Sequence, residues 1–156
     1  MQTLHGIVSL TWFTIAVLAA LACLLSISTP AGLIYLILVG LASLAVLYAY
    51  CAKCSVREHC CSHAFPGKAA SWLPPRAQGP YSLADICGTG GALASIVIFP
   101  QYWLLQNRAV LVLFWGLIII AVAEIRWWVC PGCRNLNCVM GRNSALRNSG
   151  IKELRD

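Results

Sequence analysis

Acidic side chains are scarce in this chain: five Asp and Glu among 156 residues, against eleven Lys and Arg. Charged residues of both signs make up only 10%, where a soluble domain carries about a quarter, and 60% of the residues are hydrophobic. With a mean hydropathy of +0.76, this deficit excludes an ordinary soluble domain and assigns the chain to a lipid bilayer. Charge is missing from the middle of every long apolar run, which argues against a dedicated ion pathway. Histidine is missing there too: His5, His59 and His63 all lie outside the runs, so two imidazoles cannot grip a haem within the bundle. Gly88-Thr89-Gly90-Gly91 lacks the Lys-Ser/Thr that completes a phosphate loop. No Lys or Arg precedes the first apolar run, so a retained span is expected there, although Ala20-Leu21-Ala22 before Cys23 resembles a signal-peptide cleavage site. No repeat of solenoid period is present.

Long apolar runs take the place of charge. Residues 7–27 form an uncharged stretch of 21 residues, enough to cross a hydrocarbon core of about 30 Å. Further spans are expected at about 33–50, 83–105 and 109–129, with Ser28 to Gly32 and Gln106-Asn107-Arg108 as turns. The predicted fold is an all-α membrane protein, a single domain over 1–156: a four-transmembrane-helix bundle of two helical hairpins, with a Cys-rich loop (51–82) and a Cys-rich, basic tail (130–156). Four spans put both termini and the long loop on one side. Ten of the eleven Lys and Arg residues fall on that side, only Arg108 opposite, so the positive-inside rule predicts an inner or plasma membrane location with both termini and both cysteine-rich segments in the cytoplasm. The net charge of +6 is then an orientation signal. The expected partners are the bilayer and other membrane redox subunits or further copies of the chain, with no nucleic acid.

Nine cysteines in a reducing compartment favour metal ligation or reversible thiol chemistry over structural disulfides. Two apolar runs each end in a Cys-x2-Cys pair with a third thiol close behind: Cys51, Cys54, Cys60 and Cys130, Cys133, Cys138. That spacing lets two thiolates reach one ion. Zinc needs four Cys or His ligands, which His59, His63 or the vicinal Cys61 would complete, and an iron–sulfur cluster needs much the same set. The expected metal ligands are Cys51, Cys54, Cys60, Cys130, Cys133, Cys138 and His63, holding zinc or an iron–sulfur cluster. Each trio recruits its own fourth ligand, or the two pairs share one ion if the second span packs near the fourth. Cys23 is expected in the core, and Cys87 is a minor ligand candidate.

Three functions fit these residues. The first is a membrane-anchored metal or iron–sulfur protein, a subunit of a redox and electron-transfer assembly. The second is a quinone-linked thiol–disulfide oxidoreductase: four helices plus Cys130-Pro131-Gly132-Cys133 resemble vitamin K epoxide reductase and the bacterial disulfide-forming membrane proteins, whose chemistry is extracytoplasmic. The third is a soft heavy-metal transporter, since Cys60-Cys61 resembles the cysteine pairs of small four-span mercury transporters. Whether the chain is an enzyme stays open.

Within the spans, Asp85 and Glu124 are expected in structural ion pairs, Glu124 with Arg126 or another interfacial cation. Tyr48, Tyr50, Tyr81, Trp127 and Trp128 at one membrane face and Tyr102 and Trp103 at the other are expected to form interfacial belts. The four-residue recurrence of Cys87, Gly91 and Ser95 predicts a close-packing face on the third span.

Overall fold

The computed structural model describes residues 2–54, 64–74, 76–77, 79–132 and 135. Among them every regular element is helical: α1 (Gln2–Ile27), α2 (Thr29–Val46), α3 (Ala64–Ala70), α4 (Leu83–Ile98), α5 (Gln101–Leu104) and α6 (Arg108–Glu124). Four stretches are long and apolar enough to cross a membrane: Thr3–Ile27, Thr29–Cys51, Leu83–Leu104 and Arg108–Val129.

The first turn is tighter than expected. Ser28 alone leaves the helix, in an extended conformation, and Pro30 already stands in the first turn of α2, where its missing N–H has no intrahelical partner to lose. Gly32 makes this possible, because a Cβ there would lie 3.1 Å from the backbone nitrogen of Leu25 and closer still to its side chain. Hydroxyls within α1 are turned back on their own helix: Ser9, Thr11 and Thr14 donate to the carbonyls of Gly6, Ile7 and Leu10 at 3.0, 2.9 and 2.8 Å. They therefore carry no unmet donor into hydrocarbon.

Pro100 ends α4 and denies the Ile96 carbonyl its usual N–H four residues on. The α2 hydroxyl of Tyr35 donates to that carbonyl at 3.1 Å, with both residues fully buried. Gln101 then joins the break to α6, donating to the Val97 carbonyl at 2.6 Å and accepting from the Trp115 indole at 3.1 Å. Asn107 caps α6 through the Val110 N–H.

Helix α1 packs most extensively on α6 and also on α2, and α2 packs in turn on α4. The core holds Ala16, Ala20 and Leu24 of α1 with Tyr35, Phe114 and Ile118. Ala16 and Ala20, four residues apart and without exposed surface, are the small residues that admit a neighbouring helix. Cys23 lies beside them in the core, as expected. The predicted small face of α4 is not used in this way. Cys87 and Gly91 are exposed, a Cβ at Gly88, Gly90 or Gly91 would meet nothing within 4 Å, and half-buried Ser95 bonds its own helix at the Ala92 carbonyl. The inward face of α4 instead carries Asp85 and Ile96, because a buried carboxylate with cationic partners and a large aliphatic side chain have more to gain from the interior than glycines do. Ile37, Val112 and Ile119 are more than half exposed, a surface that fits hydrocarbon rather than water.

Candidate metal centre

The ends of α2 and α6 share an unusual ending. Each continues into a π-helical turn, Leu47–Cys51 and Ile125–Val129, and each turn leads directly into a Cys-x2-Cys pair. The Ala52 N–H reaches the Leu47 carbonyl at 2.8 Å, and the Cys130 N–H reaches that of Ile125. One extra residue per turn rotates the downstream chain by about 100° relative to a continued α-helix, and such turns are frequent at functional sites. In the first pair the Cys54 N–H bonds to the Cys51 carbonyl at 3.1 Å, a closed turn that brings the two Cα atoms within about 7 Å. The second begins with buried Cys130 in a short 3₁₀ turn, Cys130–Gly132.

Beside Cys54 lies a polar network built on Asp85. Ser82 and Asp85 form a capping box at the start of α4, fixing the carboxylate at the helix N-terminus. Its two oxygens receive Lys53 and Arg76, each at 2.8 Å, while Asp85 itself is 4% exposed. Arg76 also reaches the Ala49 carbonyl at 3.4 Å and stands over the Tyr48 ring. Tyr81 stacks on Tyr50 with centroids 4.4 Å apart and donates its hydroxyl proton to the Tyr50 carbonyl at 3.2 Å. Tyr48, Tyr50 and Tyr81 thus hold this part of the chain to the end of α2.

The second cysteine-rich segment reaches this network through Asn135. Its side-chain nitrogen lies 3.3 Å from Cys54 Sγ and 3.2 Å from the Tyr81 hydroxyl, and the residue is buried. The C-terminal segment therefore meets Cys54 directly, although the extensive contacts of α6 are with α1. Glu124 pairs not with Arg126 but with His5 of α1, at 2.8 Å, and the His5 ring stacks on Trp128. Helix α1 runs antiparallel to α6 and so delivers residue 5 to the level of residue 124, whereas Arg126 is exposed.

Of the predicted ligands, Cys51, Cys54 and Cys130 are described, and all three lie at this end of the bundle. Cys60, His63, Cys133 and Cys138 lie outside the described residues, as do His59 and Cys61. Among the described residues no three His, Cys, Asp or Glu side chains form a group that would hold a metal ion. Cys87 is exposed.

The chain matches no family model, no curated protein and no solved structure. Sequence reading missed Asn135, whose only local signal is its place between Cys133 and Cys138. It also missed Lys53 and Arg76 as the partners of Asp85, and helix α3 within the stretch expected to be a loop. Pro66 did not forbid α3, because it falls in the first turn.

Proposed function

We propose that the chain is an integral membrane protein with both termini in the cytoplasm and a cysteine-ligated metal site on that face, binding zinc or an iron–sulfur cluster within a membrane redox assembly. Cys51, Cys54 and Cys60 meet Cys130, Cys133 and Cys138 there, with His63 as a further ligand. The observation that carries this reading is the contact of Asn135, between Cys133 and Cys138, with Cys54. It supports a shared location for two trios that are 79 residues apart at their first members, Cys51 and Cys130. The closed turn of Cys51 and Cys54 supports the ligand geometry.

Anaerobic purification followed by absorbance and metal analysis tests the proposal. Iron with sulfide supports electron transfer, and zinc in a colourless protein supports a structural centre. Neither metal, with thiols that cycle against a quinone, would replace this reading by the oxidoreductase one. A reporter fused after Asp156 tests the orientation, and activity of a periplasm-dependent reporter there overturns it.

A further inference from the structure

We infer that Asn135 is a positioning residue that holds Cys54 Sγ as a hydrogen-bond acceptor, the state of a metal-bound thiolate. The inference deepens the metal reading above and rests on it. Its support is an accounting of protons. A backbone carbonyl only accepts, so the proton between Tyr81 and the Tyr50 carbonyl belongs to the Tyr81 hydroxyl. That hydroxyl has no second proton, so it accepts from Asn135, and the atom of Asn135 that faces it is the amide nitrogen. The amide orientation is thereby set by a neighbour rather than chosen freely. The same nitrogen is 3.3 Å from Cys54 Sγ, so an N–H points at the sulfur.

Tyr81 can set this direction because it is itself held. Its ring is stacked on Tyr50 and lies 5.9 Å from the Lys53 ammonium, which Asp85 anchors in turn. Lys53 precedes Cys54 directly, so the ion pair that fixes the lysine also fixes where the cysteine stands. An N–H directed at sulfur occupies one of its lone pairs and leaves the others for a metal ion. For a metal-bound sulfur it withdraws electron density and fixes the direction of the lone pairs. The ligand class this suits is a thiolate-binding divalent cation or an iron–sulfur cluster.

Cobalt(II), a spectroscopic stand-in for zinc, reads the sulfur directly in the full-length protein in nanodiscs. Removing the N–H raises the energy of the sulfur lone pairs, so Asn135→Leu should move the sulfur-to-cobalt charge-transfer band to longer wavelength. It should also weaken cobalt binding by roughly 10- to 100-fold, as loss of groups that orient a ligand does. Asn135→Gln, which keeps an amide N–H, should recover part of both. In a Cys54→Ser background, Asn135→Leu should cause no further band shift, because its route to the metal runs through that sulfur. If Asn135→Leu does not fold, Tyr81→Phe carries the test: it keeps the stacked ring, removes the oxygen that orients the amide, and should shift the band in the same direction. An unchanged band and affinity in the folded Asn135→Leu variant, or in Tyr81→Phe where that variant stands in, overturns the inference and leaves the metal reading intact. In a protein that carries an iron–sulfur cluster instead of taking up cobalt, the sulfur-to-iron charge-transfer band reads the same shift. A wild-type protein that takes up no cobalt and carries no iron after anaerobic purification overturns the metal reading itself, and this inference with it.

Discussion

The Asp85 carboxylate meets the Lys53 ammonium at 2.8 Å across 32 residues of chain, tying the residue before Cys54 to the first turn of α4. Arg76 occupies the other oxygen of the same carboxylate, so one buried acid ties Lys53 and Arg76 to the start of α4. Both cations lie within a few residues of the candidate site or across the loop from it, and the loss of either leaves the acid with the other alone.

Asp85→Asn should therefore be among the most damaging single changes at this end of the bundle. It leaves Lys53 and Arg76 side by side without their counter-charge, and removing one member of a buried pair costs more than the pair itself contributes. Lys53→Met should cost less, because Arg76 remains on the carboxylate. Chemical unfolding of both variants in detergent checks the order, and equal losses would mean that Arg76 contributes nothing.

Tyr35→Phe isolates a single hydrogen bond within the bundle. The Ile96 carbonyl that it serves is the one that Pro100 leaves without its usual helical partner, and the ring itself stays stacked near Phe99. Such bonds within membrane bundles contribute on average about 0.6 kcal/mol. The measured loss should lie at or above that figure, since no backbone N–H is there to replace the hydroxyl. A variant as stable as wild type would show that the carbonyl finds another donor.

Two glycines should respond in opposite ways. Gly91→Leu should leave thermal stability and expression unchanged, because its site is open on the outer face of α4. Gly32→Val should lower both, since its side chain would collide with Leu25 where α1 turns into α2. Loss of stability in Gly91→Leu would return the small face of α4 to a packing role.

His5→Phe should destabilise more than Glu124→Gln. The phenyl ring keeps a stacking partner for Trp128 but leaves the half-buried Glu124 carboxylate without the imidazole that faces it. Glutamine retains an oxygen at that position. A loss of about 1–3 kcal/mol is expected for the stranded acid, read from melting in detergent. The reverse order would show that the aromatic stack, not the polar contact, holds α1 to the end of α6.

Local composition, legible along the chain, accounts for the elements themselves. Apolar runs of span length with no charge in their middle form helices in a bilayer, which leaves backbone groups no partner except their own chain, and the four long apolar helices need no other cause. The burial of Cys23 and the need of Asp85 for cationic partners come from the same cost of exposing or stranding a group. Which partner each group obtains depends instead on how the helices pack. Glu124 takes His5 rather than the nearby Arg126, and α1 rather than α4 supplies the small face, because helix order in the bundle sets which residues stand at one level. The same holds for Asn135 and Cys54, 81 residues apart: spacing shows which thiols are ligand candidates, but only the packing of distant helix ends shows what touches them.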